Sequence, residues 1–310
     1  AAAAAASGFA ISKSAKAAGE FEQTMTKVGL VSGATERELA MLTAEGIRLG
    51  QVTQFSPDQA AGGFLTLGQS GKTAAQQIGL MEPVLNLAAA GQIEVAEAAA
   101  IATRSMAAFG LGTGDIAGAN DKLLKVTQML DINMNQISDQ FGKTAGKMGA
   151  FGQSFDTVAL TLGLATAATG DAAMAQASLA TATANLQKKA KDLQKDLGVN
   201  VFDRQTGAAR QLDAVLLDMQ SSMASMTEEQ QAQILTTYLG SRGILAFSSV
   251  TKAAAGENLR GAEAVAELRN QLAQSTGTTQ KFTDSLLDTF SGKTTLMIGS
   301  MQTLVISLGM

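Results

Sequence analysis

Residues 227–240 read TEEQQAQILTTYLG. Thr227 followed three positions later by Gln230 is a capping box: the threonine hydroxyl accepts from the Gln230 N–H, and the glutamine reaches back to the threonine N–H. Apolar side chains then fall at Ile234, Leu235, Tyr238 and Leu239, one face of a 3.6-residue period, and Gly240 supplies a stop. The stretch predicts a short amphipathic helix with a marked beginning and end. The same grammar recurs along the chain. Ser56, Pro57 and Gln59 provide a cap, a first-turn proline and a box-closing amide. Thr35 pairs with Glu38 in the same way, and Ser154, Asp115 and Ser241 are further candidate caps. In QLDAVLLDMQSSM (211–223), Leu212, Val215, Leu216, Met219 and Met223 line one face.

No segment alternates apolar and polar residues over a strand length. The one extended candidate is GVNVFDRQTG (198–207), where Val199, Val201 and Phe202 precede a turn at Thr206-Gly207. The fold class is therefore read as all-α, with about ten to thirteen short helices and at most one short hairpin or extended segment near 198–207. The segments divide as a lead-in helix over 1–28, a helical core over 29–255, and C-terminal helices over 256–310 that run into an apolar stretch.

Composition says how such helices must pack. Of 310 residues 46% are hydrophobic, yet only 4% are aromatic and none is tryptophan. A core built from alanine and other small side chains is well packed only if its helices approach closely. Glycine pairs four apart, which bare a patch on one helix face, occur at Gly29/Gly33, Gly46/Gly50, Gly114/Gly118 and Gly142/Gly146. Short helices and frequent glycines predict packed layers rather than one rod. With charged residues at 16% and a net charge of −4, no basic stripe marks a nucleic-acid footprint, and no specific nucleic-acid binding is expected. Histidine and cysteine are both absent, which excludes disulfides, thiolate nucleophiles, Cys/His zinc sites and Ser-His-Asp chemistry.

The sequence Gly-Lys-Thr, which ends a phosphate-binding loop, appears at 71–73, 142–144 and 292–294. That loop also needs a glycine five positions earlier, after a strand and before a helix, so that its N–H groups can curl toward phosphate. Those positions hold Thr66, Ile137 and Leu287. The better reading is a glycine that ends or bends a helix, a solvated lysine and a capping threonine. Glu94/Glu97 and Glu228/Glu229 lie near helix starts, where carboxylates complement the dipole. KKAKDLQKD (188–196) reads as the wet end of a helix, and FGLGTGD (109–115) as a stop followed by a cap. No catalytic, cofactor-binding or metal-ligating residue is assigned, no cofactor is expected, and the chain is read as no enzyme.

Both ends read as cuts through a longer protein. The opening AAAAAASGFAISKSAKAAGEF (1–21) lacks the basic start of a secretion signal, and TTLMIGSMQTLVISLGM (294–310) carries no charge. A helix without a charged face must be buried, so Leu296, Ile298, Met301 and Val305 are candidates for contact with membrane or with other copies.

The order of segments resembles the conserved region of phage tail tape-measure proteins. Phe21-Glu22, Leu49-Gly50, and Thr53, Phe55 and Ser56 match the opening of that region. LNLAAAGQIEVAEAAAIATRSMAAFGL (85–111), FGQSFDTVALTLGLATAATGD (151–171), LGVNVFDRQTGAARQLDAVLLDM (197–219) and YLGSRGILAF (238–247) follow in the family's order. The resemblance runs from about Phe21 to Phe247 and more loosely beyond. One departure is DAAMAQASLATATANLQ (171–187), which lacks the arginine common there and puts any contact of that arginine in doubt. The resemblance implies a structural protein of the virion, lying in the tail lumen and made in the host cytoplasm. It also implies that the protein sets tail length and leaves ahead of the DNA. Implied partners are further copies of itself, three being expected, the tail tube protein, tail tip or baseplate proteins, tail assembly chaperones and, during ejection, the host membrane. The competing reading is a membrane-active helical protein such as a pore former or toxin, supported by the apolar end and the alanine-rich helices.

Overall fold

Local end signals become element boundaries in the computed structural model, which describes residues 2–255 and 258–289. In chain order the helices are α1 (Ala2–Ser32), α2 (Glu36–Val52), α3 (Pro57–Gln69), α4 (Ala74–Gly91), α5 (Val95–Phe109), α6 (Ile116–Met129) and α7 (Met134–Ala150). They continue with α8 (Phe155–Thr169), α9 (Ala172–Lys188), α10 (Ala190–Leu197), α11 (Leu212–Ser222), α12 (Glu228–Thr251), α13 (Gly261–Ala273) and α14 (Thr278–Leu287). A 3₁₀ turn at Thr113–Asp115 precedes α6. The all-α reading holds, with fourteen α-helices among the described residues. The charge run at 188–196 contributes one more helix than a single wet helix end would, because Lys189 leaves helical geometry and separates α9 from α10.

The expected capping boxes form. Thr35 and Glu38, Ser56 and Gln59, and Thr227 and Gln230 each exchange two bonds, at 2.9 and 3.3 Å in the first case. Ser154 caps α8 through the Thr157 N–H. Asp115 departs from its expected role: it lies inside the 3₁₀ turn, and its carboxylate accepts from the Gly112 N–H. Pro57 begins α3 as expected, whereas Pro83 lies inside α4, which continues through it. A mid-helix proline costs about 3 kcal/mol locally. Burial of Leu80, Met81, Val84, Leu85 and Leu87 around it offsets that cost.

The extended candidate is a hairpin whose return arm runs past Gly207. Phe202 bridges Ala209, the Arg210 N–H donates to Val201 O, and the Asp203 N–H donates to Ala208 O. Asp203 Oδ1 organises the tip by accepting from the N–H groups of Gln205 and Thr206 and from the Thr206 hydroxyl. A second pairing was not foreseen: β1 (Ala254–Ala255) and β2 (Leu259–Arg260) are antiparallel, with Ala254 opposite Arg260. Two residues per strand are too few to carry an alternation signal.

The described residues form two compact units. The first comprises 2–103, 112–117 and 279–289. There α3 packs against α1, α2 and α4. Phe21, Leu42, Phe64 and Leu67 are fully buried among Ala60, Ala61 and Ala88. The second unit comprises 104–111 and 118–278, without the two undescribed residues at 256–257. Its centre is α8, which is apolar on every side and buried from Thr157 to Thr166, with α7, α9, α11, α12 and α13 around it. A helix with no polar face is stable only when enclosed in this way.

The small-residue pairs sort cleanly. At Gly46/Gly50 both positions meet a neighbour: a Cβ at Gly46 would lie 3.3 Å from the Phe21 ring, and one at Gly50 2.5 Å from Pro57. At Gly114/Gly118 nothing lies within 4 Å, and in Gly29/Gly33 and Gly142/Gly146 only the first glycine meets a neighbour. Hence Gly50→Ala should lower stability by about 1–3 kcal/mol through overpacking. Gly146→Ala, in an exposed helix interior with open space, should raise it by up to about 1 kcal/mol. Denaturant unfolding of the two variants checks the contrast, and a neutral Gly50→Ala would sink it.

Candidate functional site

The two described Gly-Lys-Thr segments occupy different structural positions. At 71–73, Gly71 has φ 74° and terminates α3, with the Lys72 N–H donating to Leu67 O. Thr73 then caps α4 in a box with Gln76. At 142–144 all three residues lie inside α7. Gly142 gives room to Arg104, whose Cδ would lie 2.2 Å from an added Cβ, and the buried Thr144 hydroxyl donates to Gln140 O. Neither segment follows a strand, so neither presents a row of curled N–H groups to a phosphate. The third, at 292–294, lies outside the described residues.

The acidic pairs stay at helix starts. Glu228 and Glu229 occupy the first turn of α12 and are exposed. Glu97 occupies the first turn of α5, with Glu94 just before the helix. Among the described residues no three carboxylates come together in a way that could hold a metal ion.

The buried polar groups of the second unit instead tie elements together. Gln153, 5% exposed, donates to Arg210 O and accepts from the Leu212 N–H at 2.6 Å. Gln211 makes the reciprocal bond by accepting from the Ser154 N–H. These bonds pin the hairpin and the start of α11 to the loop between α7 and α8. Beside them is a space of about 10 Å³, lined by Gln153, Gln187, Val201, Arg210 and Val215, which has room for one water and no more. Asp213, 2% exposed, takes two bonds of 2.7 Å from the Arg269 guanidinium, which also donates to the Thr157 hydroxyl. That fork joins α11, α13 and α8. Tyr238 on α12 donates its hydroxyl to Asp196 on α10. Burial first, and then that bond, push the phenol up to about 12.

Each of these groups is engaged in a hydrogen bond that joins elements of the second unit. Their partners are 42 to 112 residues away in sequence, so local patterns could not announce them. The only hint is an acidic residue, Asp213, wedged between apolar neighbours. Leu296, Ile298, Met301 and Val305, the candidate contact residues, lie outside the described residues. Within the described residues no single helix is long and apolar enough to cross a membrane. The bent pair α4 and α5 has the length and composition together, but α4 buries Leu80, Met81, Val84, Leu85 and Leu87 against protein.

Comparison with known proteins supplies what the geometry does not. The family described as "Phage-related minor tail protein" matches residues 43–240. The chain is 25% identical over 302 residues to the "Tape measure protein" of Pneumococcus phage Dp-1, covering 96% of this chain and 26% of that protein. It is 28% identical over 243 residues to the "Probable tape measure protein" of Escherichia phage P2, covering 76% of this chain and 30% of that protein. The chain thus spans about a quarter to a third of the length of these relatives. No solved structure matches it.

Two measurements test the structural reading of the buried polar groups. Asp213→Ala leaves the partly exposed Arg269 without its carboxylate. It should destabilise the second unit by about 3 kcal/mol, the low end for breaking a buried pair, as read by thermal or denaturant unfolding. Tyr238 is the single tyrosine and there is no tryptophan, so near-ultraviolet absorbance titrates it alone. Its ionisation should be centred near 12 rather than 10. The folded state then favours the neutral phenol. The associated stability, about 2–3 kcal/mol, is fully present below pH 10 and lost as pH rises through about 12. Asp196→Asn should lower the midpoint but leave it above 10, because burial is the larger cause.

Proposed function

The chain belongs to the phage-related minor tail protein family, and on that premise we propose that it is a structural segment of a tail tape-measure protein. It works in the virion, in the lumen of the tail. The observation that carries this reading is the similarity to a tape measure protein over 96% of the chain. The segment contributes packing surfaces and no reaction centre. The full-length protein sets tail length, since each helical residue advances about 1.5 Å along a tube, and it leaves ahead of the DNA when the genome is delivered. Its partners are other copies of itself, three in the tail, together with the tube protein, tip or baseplate proteins and the chaperones that hold it before assembly. The uncharged stretch 294–310 is the contact between copies, through Leu296, Ile298, Met301 and Val305, and enters the host membrane on ejection.

One phage experiment tests both levels. In-frame deletions in the full-length protein outside 21–247 should shorten tails by about 1.5 Å per residue removed, measured on micrographs. Ile298→Asp with Val305→Asp should block tail assembly or DNA delivery. Tails of unchanged length would overturn the length-setting role. Normal infection by the double variant would overturn the contact role of 294–310 alone.

A further inference from the structure

Helix α2 of the first unit buries one face and leaves apolar side chains on another. Six large apolar side chains are exposed among the described residues, and four of them, Leu30, Val31, Met41 and Val52, belong to α1 and α2. Leu42, Gly46 and Leu49 form the buried face of α2. Met41 and Val52, 51% and 50% exposed, stand eleven residues apart, or about three turns, so they share one outward stripe. Between them on that stripe lie Glu45 and Arg48, joined by two bonds of 2.7 and 2.8 Å. The pair cancels the charge at the middle of the stripe, and both of its ends are apolar. A surface helix ordinarily presents a charged face to water, so this stripe has the character of an unfilled seat.

The same unit holds the start of a segment that needs such a seat. Helix α14 is tied to α4 at Asn86, whose carbonyl accepts from the Thr283 hydroxyl and whose side chain donates to Gln280 Oε1. Glu82 lies one turn before Asn86 on α4. It is close enough to Arg48 that its charge adds to the bond from Glu45 in raising the guanidinium above its ordinary value. A short path therefore joins α14 to the middle of the α2 stripe through Asn86 and Glu82. Helix α14 ends at Leu287, and the described residues end at 289. The four residues 290–293 reach at most about 14 Å, and 294–310, the contact segment of the proposed function, carries no charge. A helix of that length spans about 26 Å, against about 17 Å from Met41 to Val52. We propose that residues 294–310 of the same chain seat on the Met41–Val52 stripe of α2 before assembly, and that other copies then draw the segment off. This inference rests on the reading of 294–310 as a contact segment and names what covers it in the free chain. Two half-exposed side chains make a weaker seat than the enclosed core of a bundle of copies, so the exchange runs toward assembly.

The chain has no cysteine, so Val52→Cys carries a single nitroxide label. In the whole chain at low concentration, the label should broaden the methyl signals of Ile298 and Val305. Mixing labelled chains with separately isotope-enriched, unlabelled ones shows whether the effect crosses between copies. Broadening confined to the chain that bears the label is the expected result. Broadening seen only between chains would put a second copy on the stripe and overturn the proposal, as would no broadening at all. As a second measurement, Met41→Lys with Val52→Lys should speed chymotrypsin cleavage within 294–310 at least tenfold while leaving the helical circular dichroism unchanged. An unchanged cleavage rate in that folded variant would also overturn it. Infection by the Ile298→Asp, Val305→Asp phage tests the contact between copies and the label tests the seat within one chain, so the failure of one is distinguishable from the failure of the other.

Discussion

At several glycines the helices of this protein approach one another too closely to admit a side chain, and that close approach is the constraint on which much of the packing depends. With few aromatics, the core is filled by leucine, valine, isoleucine and methionine together with alanine, and glycines let the helices close around them. The fit is correspondingly tight. A Cβ at Gly163 on α8 would lie 2.5 Å from Val126 on α6, and one at Gly149 on α7 would lie 2.7 Å from the carbonyl oxygen of Ala108 on α5. At these sites even a methyl group forces movement. Aromatic rings pack at a few positions, such as Phe141 and Phe155, whose rings meet edge to face with centroids 5.3 Å apart.

Buried polar bonds add directional specificity to this packing. The Asp213–Arg269 fork sets where α11 and α13 meet α8, and Gln153 and Gln211 set where the hairpin leaves the α7–α8 loop. A slip of one residue along any of these helices would leave a buried carboxylate or amide without its partner. An unsatisfied buried group of that kind costs about 1–3 kcal/mol.

That organisation suits a structural role. Ionisable groups with shifted environments are engaged in local structure: Tyr238 by burial and Asp196, Asp203 by the N–H and hydroxyl of Thr206, Glu38 by the N–H of Thr35 in its capping box, and Arg48 by its bond to Glu45.

The sequence by itself determined the helices and many of their ends. Thr35, Ser56, Ser154 and Thr227 cap where their spacing predicts, because a cap is a bond between residues three apart and owes little to the rest of the chain. The family was legible for a similar reason, since an ordered series of local patterns survives without knowledge of packing. The tertiary structure decided the rest. It selected Gly46/Gly50 among four equally spaced pairs, carried α4 through Pro83, and gave Asp213 its arginine from 56 residues away. At Gly240 the local pattern names a stop, and the backbone breaks there with φ 74° and ψ 161° while Asn185 and Lys189 bond the Leu239 and Thr237 carbonyls from 54 and 48 residues away. Bonds made within one turn are written in neighbouring residues; those made between distant helices exist only after the chain has brought them together.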